Sequence, residues 1–151
     1  MAILKVKKLF EDAVVPSYAH DGDSGLDLFS YGDYVIGPGE RKLISTGVAF
    51  EIQRGYEVQI RPRSGLAYKR GVTVLNSPGT IDSGYRGEIK VILINHGEED
   101  FYVRRGDKIA QAVLAKVERA EIEVVSELED SVRGEGGFGS TGGHSSLRSE
   151  S

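Results

Sequence analysis

The sequence predicts an all-β fold with one short helix. Three observations carry that expectation: apolar residues alternate with a period of two, turn signals recur at short intervals, and helical periodicity is almost absent. Alternation is plain in YEVQI, where Tyr56, Val58 and Ile60 share a face, and in EIEVV, where Ile122 and Val124 do. IKVILIN, residues 89–95, is a β-branched run suited to a buried strand. Turn signals stand at Gly37-Pro38-Gly39, Arg54-Gly55, Ser77-Pro78-Gly79, Ser83-Gly84, His96-Gly97 and Arg105-Gly106. Many short strands between such turns indicate a barrel or a sandwich.

The helix is expected over SGLAYKR, Ser64 to Arg70, with Ser64 as its N-cap and Gly71 ending it. ELEDSV, Glu127 to Val132, reads either way. From Arg133 onward only Phe138 and Leu147 are apolar, so this segment cannot bury enough surface to offset its own ordering entropy. The expected organisation is one β-barrel domain over residues 1–132 and a flexible Gly-rich C-terminal arm over residues 133–151.

Composition narrows the function. A chain of 151 residues, 39% apolar, suits a single domain with a modest core. Twenty glycines, five phenylalanines and no tryptophan point to thin packing and to burial partly through association with other copies. The net charge of -4 argues against a broad cationic face for duplex DNA or an anionic membrane. Without cysteine there are no disulfides, thiolate nucleophiles or Cys-bound zinc. His20, His96 and His144 are too scattered for a metal-binding pair and read as surface or loop residues. The longest purely aliphatic run, Val91 to Ile94, is far short of a membrane span, and MAILKVKKLF is charged where a signal peptide is apolar. The expectation is a soluble, cytoplasmic protein without nucleic-acid or membrane partners.

Five stretches carry chemistry. RGEGGFGSTG, Arg133 to Gly142, contains GxGxxG but lacks the flanking strand and helix of a dinucleotide fold, and no GK[ST] follows to make a P-loop. What remains is a set of unobstructed backbone amides with Arg133, Ser140 and Thr141 as donors, suited to phosphate oxygens, and one ring, Phe138, able to stack on a base. RPRSGLAYKRG, Arg61 to Gly71, puts two arginines and a serine where a strand meets a helix, which suits an anion or equally a solvated charged turn.

NSPGTIDSGYRGEIKV, Asn76 to Val91, reads as a β-hairpin with Asp82 and Tyr85 at its tip. Asp82 is a candidate general base toward water or an Asx-turn residue, Asn76 offers a donor and an acceptor to a pyrimidine edge, and Tyr85 could equally be packing. HDGDSGLDLFS carries Asp21, Asp23 and Asp27, whose spacing and missing final glutamate argue against an EF-hand. In GDKIAQAVL, Gln111 sits between apolar neighbours, so it is structural or reads a ligand.

In this order the five stretches resemble the five motifs of the homotrimeric dUTPase family: DSGLDL the first, RPRSG the second, NSPGTIDSGYRGEI the third, GDKIAQ the fourth and RGEGGFGSTG the fifth. They span Asp23 to Gly142. The departures are small: Ser24 where alanine is common, and Ser83 at a variable position.

The resemblance implies a jelly-roll-like β-barrel assembled as a homotrimer, with each active site shared between subunits. It implies hydrolysis of dUTP to dUMP and pyrophosphate with Mg²⁺, which limits uracil incorporation into DNA and supplies dUMP for dTMP synthesis. By the same resemblance Asp82 is the catalytic base. Asn76 and the backbone of Gly79, Thr80 and Ile81 read uracil, and Tyr85 lies against the deoxyribose. Arg63, Ser64, Gly65 and Gln111 hold the phosphates. Asp27 supports the metal's water shell or the site's architecture, the Mg²⁺ being held mainly by substrate phosphates. Phe138 closes over the uracil, while Arg133, Gly139, Ser140 and Thr141 grip the outer phosphates.

Two alternatives stand beside this. A dCTP deaminase shares the fold and the third motif, but Ile92 occupies the position where that pattern has a glutamate. A non-catalytic nucleotide-sensing trimer would have no use for Asp82.

Overall fold

In a computed structural model, which describes residues 1–142, the all-β expectation holds, with one short helix. The chain divides into two units, Met1–Arg119 and Ala120–Ser151. His144, Leu147 and the rest of the expected arm beyond residue 142 lie outside the described residues.

Every strand among the described residues lies in the first unit. β1 (Leu4–Lys8), β5 (Arg41–Ile52), β9 (Glu88–Asn95) and β7 (Val72–Val74) form one antiparallel sheet in that spatial order. β2 (Ser17–Tyr18), β3 (Leu26–Phe29), β11 (Lys108–Lys116), β6 (Tyr56–Arg61) and β8 (Gly79–Ile81) form a second. β4 (Tyr34–Ile36) and β10 (Phe101–Val103) make a two-stranded ribbon. No ladder joins these sheets into a closed barrel among the described residues.

Alternation explains the core. Val58 and Ile60 of β6 face Ile44, Val48 and Phe50 of β5 and Ile89, Val91 and Leu93 of β9 in one buried cluster. Each such side chain contributes roughly 1.5–3 kcal/mol on burial. β9 is not buried on both faces as its run suggests: Ile92 and Ile94 are half-exposed and Lys90 is exposed. With Leu43 paired to Ile92, and with exposed Leu75, they leave an apolar stripe on the outer face of the four-stranded sheet.

Three local expectations change. The Asn76–Val91 stretch is not a paired hairpin, because β8 pairs with β6 in one sheet while β9 pairs with β5 and β7 in the other. The six residues between them carry the chain from sheet to sheet, where β9 takes the twelve-residue β5 on one side and the short β7 on the other. EIEVV forms no strand, since alternation needs a ladder partner and no described strand pairs with it. The helix α1 (Ser64–Arg70) is capped by Arg63 rather than Ser64. Arg63 keeps an extended backbone (φ -94°, ψ 127°) and makes no side-chain cap bond, whereas Gly71 (φ 68°) ends the helix in the left-handed region as expected.

A surface clasp ties the N-terminal segment to the β10–β11 turn. Phe10 stacks on Tyr31 at 4.5 Å between centroids, and the Arg105 guanidinium lies 4.4 Å above the Tyr31 ring. Asp12 accepts from the Tyr31 hydroxyl at 2.6 Å and pairs with Arg105. The Tyr31 hydrogen bond, then Arg105, holds the Asp12 carboxyl below its ordinary value, and Asp12 in turn raises Tyr31 and Arg105.

In the second unit, described residues 120–142 form no helix or strand, and Ile122, Val124 and Leu128 are exposed. ELEDSV therefore is not a helix. From Arg133 the backbone runs through successive turns closed by Gly136 N–H to the Arg133 carbonyl at 3.2 Å and Ser140 N–H to the Gly137 carbonyl at 3.1 Å.

Candidate active site

The second, first and fourth chemical stretches converge on three adjacent strands. Ladder register sets Asp27 of β3 opposite Gln111 of β11, and Gln111 opposite Arg61 of β6. Past Arg61, Pro62 brings no N–H to continue the ladder, and its carbonyl accepts from Gln111 Nε2 at 3.0 Å. That bond answers what a half-buried glutamine is tied to. Gly25 makes room for it: a Cβ there would overlap Gln111 Oε1 and stand 3.0 Å from Gln111 Cβ.

Arg63 lies beside this row, its guanidinium donating to the Lys108 carbonyl at 3.3 Å. Ser64 and Gly65 open α1 in exposed positions, and no side chain caps the first-turn amides. Asp27 is 16% exposed and its carboxylate stands 3.1 Å from Lys108 Nζ. Lys108 is the residue that reading GDKIAQ for its glutamine alone misses. Its signal was present, as a cation three positions before Gln111, but its acidic partner is 81 residues away in sequence and beside it only through the β3–β11 ladder. Asp21 and Asp23 do not join Asp27. Asp23 instead accepts from the His20 backbone N–H at 2.9 Å in its own turn.

The third stretch stands on the far side of β6. Gly79, Thr80 and Ile81 are laddered to Ile60, Gln59 and Val58, so their backbone is fixed. The Asn76 amide packs close to Gly79, where a Cβ would meet Nδ2 at 3.3 Å. Asp82 follows β8 directly and is exposed. Among the described residues its carboxylate accepts no hydrogen bond, so it is not the side-chain acceptor of an Asx-turn; the turn is closed by Tyr85 N–H on the Asp82 carbonyl at 3.1 Å. A cavity of about 300 Å³ is lined by Thr80, Ile81, Asp82, Tyr85, Glu88 and Lys90, among others. Asp82 also lines a larger one of about 640 Å³, with Arg54, Glu57, Arg86 and Arg119 among its other walls. Neither is lined by Arg63, Ser64, Gly65 or Gln111.

The fifth stretch, described by itself, presents Phe138 fully exposed with its backbone in the left-handed region (φ 48°) between Gly137 and Gly139. A bulky residue there is strained, and among the described residues the ring has no packing partner to offset it. Arg133 Nε donates to the Gly136 carbonyl. Ser140 and Thr141 are exposed.

A family model described as dUTPase matches residues 11–142. The deoxyuridine 5'-triphosphate nucleotidohydrolase of Nautilia profundicola is 63% identical over 139 residues, which is 92% of this chain and 98% of that protein. The enzyme of the same name from Clostridioides difficile is 60% identical over 92% of this chain and 97% of its own length. Among solved structures, the dUTPase of Staphylococcus bacteriophage 80alpha with dUpNHpp matches with a TM-score of 0.87 at 31% identity, covering 93% of this chain and 98% of that one. The dUTPase of phage phi11 of S. aureus, described as coordinating a structural Mg(II) ion, matches at 0.79 and 28% identity over 85% and 99%. Matched over most of its length by the model and by these relatives alike, the chain belongs to the dUTPase family.

Proposed function

We propose that this chain hydrolyses dUTP to dUMP and pyrophosphate, with Asp82 as the general base, in a site that more than one copy of the chain completes. The observation that carries this reading is the division of labour within a family member. An unpaired carboxylate beside Tyr85 stands on one side of β6, and a row able to hold phosphates stands on the other, with no cavity around Asp82 reaching that row.

In the reaction the Asp82 carboxylate holds a water and takes its proton as the oxygen bonds to the α-phosphorus. The bond from that phosphorus to the bridging oxygen breaks, and pyrophosphate leaves. Arg63, Ser64, Gly65 and Gln111 hold the phosphates and meet the charge that develops on the leaving group, and Lys108 adds a cation to the same row.

Specificity follows from rigidity. The backbone of Gly79 to Ile81 is clamped to β6 and cannot re-aim, so it accepts uracil and leaves the edge of cytosine unpaired. Asn76 reads the same base, and Tyr85 against the sugar crowds a ribose 2′-hydroxyl.

Among the described residues no three acidic or histidine side chains gather as a protein-built metal site. That donor set fits an ion carried in by the triphosphate, because Mg²⁺ takes phosphate oxygens and keeps several waters. Asp27, already turned toward the row, would reach its water shell, and the ion would supply charge neutralisation on the phosphates.

A homotrimer is supported by the apolar stripe of Leu43, Leu75, Ile92 and Ile94 and by the exposed Ile122 and Val124, surfaces that a second copy would cover. Residues 133–142 act as a strap: their glycines let Phe138 close over the uracil while Arg133, Gly139, Ser140 and Thr141 reach the outer phosphates, expelling water and releasing after turnover. No described helix is long and apolar enough to cross a membrane, and we place the enzyme in the cytoplasm, where it would limit uracil in DNA and supply dUMP.

The test is pyrophosphate release from dUTP, dCTP, dTTP and UTP side by side with Mg²⁺. Release from dUTP alone is expected. Ammonia from dCTP would point to a deaminase, and binding of dUTP without release to a sensor.

A further inference from the structure

We infer that Glu88 is a positioning residue for Tyr85, and through it sets the preference for deoxyribose over ribose; this rests on the reading of Tyr85 as the residue against the sugar. Glu88 opens β9 and lines the cavity that holds Asp82 and Tyr85, yet no chemistry of its own was apparent in the sequence.

Its two ends do different things. The side chain fills a defect in the neighbouring strand. Between Ser45, opposite Lys90, and Ala49, opposite Glu88, β5 carries three residues against the single Ile89 of β9. Such a bulge strands backbone groups away from the ladder. The Glu88 carboxylate takes up one of them, the Gly47 N–H at 2.9 Å, and also accepts from the Ser45 hydroxyl. Gly47 itself is in the left-handed region (φ 73°), so the bulge has a defined shape for the carboxylate to bind.

The main chain of Glu88 anchors the tyrosine. Its carbonyl accepts from the Tyr85 hydroxyl at 2.9 Å. The ring lies down on Gly87, where a Cβ would overlap the hydroxyl and stand 2.6 Å from Cζ. Tyr85 is 46% exposed and has no core to hold it. Its orientation is set by that one hydrogen bond and by the bare backbone beneath it. A Glu88 pinned to the β5 bulge fixes the carbonyl, and the carbonyl fixes the ring. Exclusion of a 2′-hydroxyl by overlap works only if the ring cannot yield, so stiffness here is specificity.

The experiment compares kcat/KM for dUTP and UTP in wild type, Tyr85→Ala, Tyr85→Phe, Glu88→Ala and Glu88→Gln, with melting temperatures to establish folding. Tyr85→Ala should lose the preference, which tests the underlying reading. Glu88→Ala should lower the dUTP-to-UTP ratio by about tenfold, mostly by admitting UTP, because steric discrimination of one small group is worth roughly 10- to 200-fold and a loosened ring gives up part of it. Tyr85→Phe, which keeps the ring and loses the anchor, should do the same. Glu88→Gln should restore the ratio, since its amide oxygen accepts both donors. Should Glu88→Ala not fold, Ser45→Ala, which removes one donor to the same carboxylate, is read in its place. A retained ratio in Glu88→Ala with loss in Tyr85→Ala would overturn the inference and leave the reading standing. A retained ratio in Tyr85→Ala would remove both. Equal loss in Glu88→Gln and Glu88→Ala would assign the effect to charge and not to anchoring, and would also overturn it.

Discussion

Replacing Gly25 by alanine should cost this enzyme far more activity than stability. The new methyl would overlap Gln111 Oε1 and press on Gln111 Cβ at 3.0 Å and Cδ at 3.1 Å. Gly25 has no left-handed backbone to strain, so the whole effect passes through Gln111. The overlapped atom is the end of a flexible side chain, which can swing away, giving up its 3.0 Å hydrogen bond to the Pro62 carbonyl. A neutral bond of that kind is worth about 0.5–1.5 kcal/mol net, equivalent to a few degrees in melting temperature. Losing a hydrogen bond to a charged phosphate costs about 1.5–3 kcal/mol, which is roughly 10- to 150-fold in kcat/KM.

The assay is pyrophosphate release with melting curves for Gly25→Ala, Gln111→Ala and the double variant. The two single changes should be strongly non-additive, because both remove the same side chain from the same place. Wild-type kcat/KM in Gly25→Ala, or additive losses in the double variant, would refute the idea that Gln111 acts on phosphate from the position Gly25 leaves open.

Other expectations can be checked alongside. Truncation after Val132 should leave the β-sheet unit folded while dUTP binding weakens and turnover becomes very slow; unchanged turnover would remove the arm from the mechanism. Lys108→Gln should lower kcat/KM by about tenfold through loss of a charged contact, with Lys108→Arg recovering most of it; equal rates in all three would confine Lys108 to structure. The clasp should titrate at both ends of the pH scale. Asp12 ionises below its ordinary 3.8, so the stability it adds is present above that value and lost as pH falls through the folded one. Tyr31 ionises above its ordinary 10.0, so its contribution is present below that value and lost as pH rises through the folded one. The difference in melting temperature between wild type and Asp12→Ala should therefore hold between those limits and shrink beyond both. A difference independent of pH would mean the clasp holds by stacking alone.

Period-two alternation made β6 legible and the β-branched run of residues 89–95 marked β9 as a strand, because the residue types that bury Val58, Ile60, Ile89, Val91 and Leu93 are written locally, though that run did not show which face of β9 is exposed. The left-handed Gly71 likewise ends α1 where its residue type demands. What sequence could not supply was partnership. EIEVV alternates as a strand would, yet alternation says nothing of whether an edge is available. The Asn76–Val91 stretch looks like a hairpin because both arms are extended, while their pairing is decided by β6 and β5, distant in sequence. The candidate site divides in the same way. Asp82, Arg63 and Gln111 were noticeable by residue type and neighbours, but Lys108 and Glu88 gain meaning only from contacts across strands.

The most direct test of a site completed between copies is subunit complementation. Asp82→Asn and Arg63→Ala chains, each nearly inactive alone, would be unfolded together in equal amounts, refolded, and assayed for pyrophosphate release from dUTP. If Asp82 and Arg63 of one site come from different chains, about one quarter of the sites in random mixed assemblies hold both intact, and activity should return to about that fraction of wild type. Activity no greater than the average of the two parents would contradict the account, because it would mean that each chain must supply both residues to its own site.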